Sequence, residues 1–521
     1  MRPSLRKTLP TALLTLALVS PPVAAPQAVL PTGFVDRPIA SGLKFPVAMA
    51  PLPDGRVLFT EKGTQEVRLI VNSVLVAAPV GTVDNVRDTG GERGLLGIAV
   101  DPLFPARPYV YVFYDWTGAP AIRISRYTLG GDLGFAGDGT LTWDPASRYD
   151  VISDLPDNSE QHNGGAMRFG PDGKLYVAVG NDDQVCNAVF VDQLIGKILC
   201  LDVSQLPDGP GGPPDKSLIT PAGNPFVNPA DPPAGLVWAL GLRNPFTFQI
   251  DMATGNLYIA DVGDVTYEEL DLANAPGMNF GYPAFEGPIP GTLCPGQPLT
   301  GLTFPIYGYD RTAFPSSVII SAGIYHRPSA GIARFSPDYE GDCFISDFEV
   351  GFLRRLKLQG GVWAVAPPVA GQPADSDWAE NMDGVTDYFT AQDGSLWYCK
   401  YAEAYVAGTG EIRRILVDPM TVSADPSTAT LEFAPPRPTP ASGPVALAWS
   451  LPAAARVRLT LTDPAGRVVR RLVDDELEAA GPHERAWDGR DDAGRAARPG
   501  IYFAQLSAGS VRRQRCVILV R

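Results

Sequence analysis

Long apolar runs are absent from this 521-residue chain once its first 25 residues are set aside. A bilayer-spanning helix takes about 20 consecutive apolar residues, so no transmembrane segment is expected. The one run that stands out, Thr11 to Val19, is too short to span. Arg2, Arg6 and Lys7 precede it and Val23-Ala24-Ala25 follow. A charged region, an apolar region and small residues in that order read as a secretory signal peptide over residues 1–25, cleaved near Ala25. The mature protein is therefore expected in the periplasm or outside the cell. Positive charge is also scarce: 42 Lys and Arg stand against 57 Asp and Glu, a net −15, and the leader removes three cations and no acid. That balance disfavours nucleic acid as a partner. The six cysteines include no Cys-x-x-Cys pair, which removes zinc-ribbon and thioredoxin-type spacings. Export permits disulfides. Cys186 with Cys200 is the best local pair, although sequence leaves the connectivity open. Sustained helical periodicity is missing too, and 54 Gly with 52 Pro predict strands and loops.

What is present is a repeated unit: a turn rich in Asp, Gly and Pro, then a short alternating strand. It occurs at Pro53-Asp54-Gly55 before Val57-Leu58-Phe59, and at Asp101-Pro102 before Tyr109 to Phe113. It returns at Pro171-Asp172-Gly173, Thr254-Gly255-Asn256, Glu340-Gly341-Asp342 and Asp393-Gly394-Ser395, each leading into a strand. The copies are spaced more widely and less evenly than the roughly 40–50 residues of common propeller repeats, so long loops must intervene. Period-two strands introduced by the same turn predict an all-β chain, a six-bladed β-propeller over residues 26–422. After Val422 the character changes. Residues 423–444, with Pro435-Pro436-Arg437-Pro438-Thr439-Pro440, read as a stiff linker. Residues 445–521 hold further alternating strands and fit a small immunoglobulin-like β-sandwich.

One of only three histidines lies in Gln161-His162-Asn163-Gly164-Gly165, beside a glycine pair and just before a strand. An imidazole titrates near neutral pH and can take a proton from a hydroxyl. A lone loop histidine also serves as an ordinary hydrogen-bonding residue, so context decides. Three more motifs supply it in order: Gly91-Glu92-Arg93-Gly94-Leu95-Leu96-Gly97, Leu242-Arg243-Asn244-Pro245, and Asp261-Val262-Gly263-Asp264 running on through Glu268-Glu269 to Asn279-Phe280-Gly281-Tyr282-Pro283. Together with the histidine loop they resemble the glucose/sorbosone dehydrogenase family of soluble sugar dehydrogenases dependent on pyrroloquinoline quinone (PQQ). The C-terminal part is similar to flagellar-hook-cap type immunoglobulin-like domains through Trp487-Asp488-Gly489-Arg490-Asp491 and Gly500-Ile501-Tyr502-Phe503.

The resemblance implies oxidation of an aldose or related sugar alcohol, with His162 as general base and an electron acceptor that the sequence does not reveal. It implies Gln161, Arg243 and Asn244 beside PQQ, and Glu92 where the family often carries a glutamine near the substrate. It implies calcium held by the backbone carbonyls of Val262 and Gly263, with Asp261 and Glu268 adding charge. For the C-terminal domain it implies sorting or attachment, through contact with cell-surface or secretion machinery. The likeness fails in one place. PQQ carries three carboxylates, and where the family supplies a lysine and two arginines this chain has Glu349, Gly384 and Thr386. Arg93, Arg311, Arg327 and Lys400 are the substitutes that the sequence offers. His326 reads as structural. The alternative reading is a non-catalytic propeller that binds a protein or glycan, as in Hedgehog-interacting proteins. A calcium-dependent propeller lactonase is a third, against which the ordered motifs argue.

Overall fold

The computed structural model describes residues 27–418 and 431–520, apart from positions 332, 452, 453, 465, 480, 509 and 510. The expected leader, residues 1–25, lies outside the described residues. Between Phe34 and Val417 the chain forms six antiparallel sheets of four or five strands, each built from consecutive strands except the fourth, whose outer strand follows a separate hairpin of Phe285–Glu286 and Ile289–Pro290, and the last. The second strands of these sheets are Val57–Glu61, Tyr109–Trp116, Leu175–Val179, Leu257–Asp261, Cys343–Asp347 and Leu396–Lys400. They are the six strands that the repeated turn introduces. Its chemistry is visible: the carboxylates of Asp54, Asp172 and Asp393 each accept the N–H two residues on, an Asx turn that reverses the chain.

The first strands are Pro46–Pro51, Leu95–Val100, Met167–Phe169, Pro245–Ile250, Ile319–Ile324 and Val385–Thr390. Each packs on the next, and the sixth packs on the first. The sixth sheet takes its outer strand from the other end of the domain, because Phe34–Leu43 pairs with Gly410–Val417. Apolar side chains from adjacent sheets fill the spaces between them, including Leu58, Val67 and Ile98 between the first and second. Arg168 of the third sheet donates to Asp387 of the sixth, whose other oxygen accepts the Met49 N–H at 2.8 Å. Asp387 is buried, and losing one partner of such a pair costs about 3–5 kcal/mol. This bond ties together sheets that are not neighbours.

A second domain packs a three-stranded sheet (Glu432–Phe433, Val445–Leu451, Gly481–Trp487) against a four-stranded one (Val468–Glu478, Ala455–Thr462, Gly500–Ala508, Val511–Leu519). Val445, Leu447, Val457, Leu459, Trp487 and Val517 form its core. The linker expected over residues 423–444 is corrected here from residue 431 onward, and residues 423–430 lie outside the described residues. Leu431, Phe433 and Ala441 are buried in the sandwich core, and Arg437 exchanges both backbone bonds with Ala446 at 3.0 and 2.7 Å. Apolar residues among the prolines outweigh the stiffness of the segment, since an edge strand tolerates proline. Among the described residues no helix is long and apolar enough to cross a membrane.

Candidate functional site

The ends of the first and second strands converge on a cavity of about 340 Å³ whose wall includes Lys62, Glu92, Asn244, Val262, Phe348 and Tyr401. These come from five of the six sheets. Glu92 links the cavity to the histidine loop: its carboxylate accepts the Asn163 N–H at 3.3 Å and the Asn244 side-chain N–H at 3.2 Å. The loop lies tightly against its surroundings. A Cβ on Gly180 would sit 2.0 Å from the His162 carbonyl, and one on Gly97 would sit 1.9 Å from that of Gly165, which gives Gly97 of the first motif, and Gly180 behind the histidine loop, a steric reason.

His162 is 6% exposed, and its Nδ1 lies 2.7 Å from Asn181 Oδ1. The same Oδ1 accepts the Asp183 N–H at 3.1 Å. A main-chain N–H can only donate, so that atom is the amide oxygen and Nδ1 carries the ring proton. Nε2 is then an unprotonated acceptor, with no hydrogen-bond partner among the described residues. Burial, and after it the Arg243 guanidinium, push the imidazole below its usual value, while Glu92 pulls the other way. Gln161 is exposed, and its N–H is bound to Ser159 Oγ at 3.2 Å.

Asp261 accepts the backbone N–H groups of Arg243 at 2.8 Å and Asn244 at 2.7 Å, so it fixes the Arg-Asn turn. The two carbonyls expected to bind calcium have other partners. Val262 O accepts from Arg243 Nη1 at 3.1 Å, and Gly263 O accepts from Arg311 Nη1 at 2.5 Å. Arg311 also pairs with the buried Glu268, whose second oxygen takes the Ile319 N–H at 2.9 Å. Glu286 gathers the N–H groups of residues 264 to 267. The calcium set of Val262, Gly263, Asp261 and Glu268 is corrected accordingly: two guanidinium groups and an anion organise this loop. The donor set does not fit a calcium ion there, and no group of metal-binding side chains occurs among the described residues.

For PQQ the fit is divided. Both amide atoms of Asn163, Asn244 Oδ1 and Arg243 Nε are buried without a hydrogen-bond partner. Such atoms are costly unless a polar partner meets them, and of these three residues Asn244 is the one on the cavity wall. The far wall is different. Arg93 pairs with Asp157, Arg311 with Glu268, Lys400 with Asp383 and Glu403, and Arg327 bonds the Phe335 carbonyl. None of these four lines the cavity. The cation that does is Lys62, missed in the sequence although it follows the second strand of its repeat as Val262 and Tyr401 follow theirs. His326 bridges Asp251 and Glu340 at 2.8 and 2.9 Å, the structural role expected of it.

The disulfide joins Cys186 to Cys294. It corrects the Cys186–Cys200 pairing, because Cys200 lies within Lys197–Leu201, buried beside Tyr176. Also unforeseen is Asp271, which is buried with neither carboxylate oxygen bonded. Burial, then Glu269 and Asp261, push its pKa well above the ordinary 3.8. The folded state therefore keeps a proton that the unfolded chain has released, and stability falls as pH rises above that ordinary value. Urea midpoints at about pH 5 and about pH 8 should fall less steeply in Asp271→Asn than in the wild type. An unchanged slope would remove Asp271 as the cause.

Residues 43–400 match the glucose/sorbosone dehydrogenase family. The chain belongs to that family. Residues 439–511 match the FlgD immunoglobulin-like domain, so a propeller domain of the sugar dehydrogenase type is fused to an immunoglobulin-like one. The HIPL2 protein of Arabidopsis thaliana is 33% identical over 227 residues, 39% of this chain and 31% of that one. The aldose sugar dehydrogenase of Escherichia coli is 28% identical over 248 residues, 46% of this chain and 59% of that one. The chain thus spans less than two thirds of both curated relatives. A Thermus structure described as a putative oxidoreductase (glucose dehydrogenase) has TM-score 0.54 and 25% identity, covering 74% of this chain and 100% of that one.

Proposed function

We propose that this chain is an exported oxidoreductase acting on the CH–OH group of an aldose or related polyol, with His162 as the base that receives the hydroxyl proton. One observation carries the reading: the Asn181 oxygen holds the ring proton on Nδ1 and leaves Nε2 free to accept. The lowered pKa keeps that nitrogen unprotonated at neutral pH, the state a general base needs. Asn244 on the cavity wall, with Arg243 and Asn163 beside it, would hold PQQ, and PQQ when bound supplies a hydride acceptor. Glu92, hydrogen-bonded to the Asn163 and Asn244 groups at the cavity edge, would accept a sugar hydroxyl. We read the six sheets as the blades of one closed propeller, since first strands pack in sequence and the sixth meets the first. The C-terminal domain is assigned contact with surface or secretion machinery.

The second reading, a non-catalytic propeller binding a protein or glycan, draws support from Glu349, Gly384 and Thr386 in place of cations. A titration of the purified chain with PQQ, with and without added calcium and coupled to aldose-driven dye reduction, separates the two. Saturable PQQ binding with aldose-dependent reduction supports the oxidoreductase, and the loop geometry predicts little effect of calcium. No binding at high micromolar PQQ sinks it.

A further inference from the structure

Lys197 opens the strand Lys197–Leu201 and is wholly buried, at 0% exposure. An ammonium at that depth needs partners, since an unpaired buried charge is among the costliest groups in a protein. Its partners are three main-chain oxygens: Ala188 O and Ile195 O at 2.7 Å, and Asn187 O at 3.1 Å. Burial pushes the amine down to about 7, with Asp192 pulling the other way. Three acceptors call for three N–H donors, and only the ammonium has them. The side chain sits as a bound cation would, inside a cage of carbonyl dipoles.

One loop makes the cage. Val179 pairs with Lys197, so residues 180–196 leave the sheet and return to it around the lysine. Gly196 lets the loop close: its φ is +65°, and a Cβ there would sit 2.6 Å from both the Ala188 Cβ and the Leu242 carbonyl oxygen. Near the start of the loop is Asn181, which holds the ring proton of His162. Hydrogen bonds run from the cage to that residue without a break. Asn187 Nδ2 donates to Gln184 Oε1 at 2.8 Å, Gln184 Nε2 donates to Asp182 Oδ2 at 2.8 Å, and the Gln184 N–H donates to the Asn181 carbonyl at 2.8 Å. The Asp182 carboxylate takes the N–H groups of Asn158 and Ser159, and its own N–H donates to the His162 carbonyl at 3.2 Å. Ala188 O also accepts the Gly241 N–H at 3.0 Å, and Arg243 O accepts the Asn181 N–H at 2.8 Å. The same loop is therefore joined to the Arg-Asn turn.

We propose that Lys197 is a positioning residue for the base: its ammonium is a built-in cation around which residues 180–196 fold, and through Gln184 and Asp182 it keeps Asn181 against Nδ1 of His162. The inference rests on the reading of His162 as the base and adds the group that fixes its tautomer from a distance. Lys197 is not on the cavity wall, and a lysine that served the sheet alone would leave the ring proton of His162 unaffected.

The test is heteronuclear NMR of the full chain carrying isotope-labelled histidine, with no cofactor added. The chain has three histidines, so His326 and His483 act as internal references. In the wild type the His162 Nδ1 proton should be resolved at neutral pH and slow to exchange. Lys197→Met keeps the apolar stem and removes the charge. It should speed exchange of that proton at least about tenfold, a fall of about 1.4 kcal/mol in the cost of opening, and populate the tautomer protonated on Nε2. Gln184→Ala cuts the side-chain bridge at a half-buried residue outside the sheets, so it should act in the same direction with the core undisturbed, and it decides the matter if Lys197→Met does not fold. In dye-reduction assays both variants should lower kcat and leave KM in place. An unchanged His162 signal in folded Lys197→Met overturns the role, as does an unchanged signal in Gln184→Ala. Exchange that quickens equally at His326, which belongs to another sheet, marks a general loosening of the fold and also overturns it. Because the spectra need no turnover, a chain whose His162 proton responds to Lys197 yet reduces no dye keeps the lysine's hold on the ring and loses the oxidoreductase.

Discussion

His162→Ala lowers kcat on an aldose by about 100- to 10,000-fold, the span that a positioned general base contributes, with the fold intact. The ring packs in a loop that glycines shape, and its one hydrogen bond goes to Asn181, so little of the core depends on it. The pH profile carries the sharper information. A base acts only when deprotonated, so the rate rises with pH through its pKa and then levels. Burial and Arg243 hold the His162 pKa below the ordinary 6.5, so the rising limb lies on the acidic side of that value. Replacing Arg243 by leucine removes a neighbouring positive charge and moves the limb toward higher pH. Asn181→Leu removes the acceptor that keeps the proton on Nδ1, dividing the ring between two tautomers and lowering kcat without moving KM. Stopped assays from about pH 4.5 to about pH 8 check all three variants. Wild-type activity in His162→Ala, or a limb indifferent to Arg243, would remove the histidine from the chemistry.

The second large effect concerns the bond between Cys186 and Cys294, which are separated by 108 residues. Closing so long a loop in the unfolded chain is worth up to about 4.7 kcal/mol in the chain-entropy account, and losing a native disulfide costs about 2–5 kcal/mol in small secreted domains. Cys186 lies in the turn Val185–Val189, five positions beyond the residue that holds His162. Cys294 follows the loop containing Tyr282, whose hydroxyl accepts from Asn181 at 3.5 Å. The disulfide thus fastens together two loops that meet at the base. A Cys186→Ser, Cys294→Ser double variant should lose about 2–5 kcal/mol in the propeller's urea transition and a large part of its activity. Reductant should reproduce the loss in the wild type and add nothing in the variant. An unchanged transition would show that the linked loops are held by packing alone.

Sequence read the sheets well because the signal is local. A carboxylate bonding an N–H two residues away and a strand of period two depend on neighbours in the chain, so all six repeated turns led to the strands they announced. The same register held more than was taken from it. Lys62, Val262, Phe348 and Tyr401 all follow second strands, and aligning the repeats on their turns places these four at one end of the sheets, which would have found Lys62. What misled was any inference that depended on a partner distant in sequence. Cys200 is near Cys186 along the chain but faces a core, and Cys294 arrives from the next sheet. Phe433 lies among prolines, and a strand from beyond Val445 buries it.

The sequence by itself determined the all-β character, the six repeated turns, the second domain and the family to which the ordered motifs belong, because these follow from short-range pattern and composition. Tertiary structure alone decided how the site is wired. It gave the Val262 and Gly263 carbonyls to Arg243 and Arg311, set the ring proton of His162 through Asn181, and put an aromatic wall beside Glu349 where cations were expected. Hydrogen bonds and ring contacts act over a few ångströms in space, and the strand ends that make them are brought together from sheets that lie far apart in the chain.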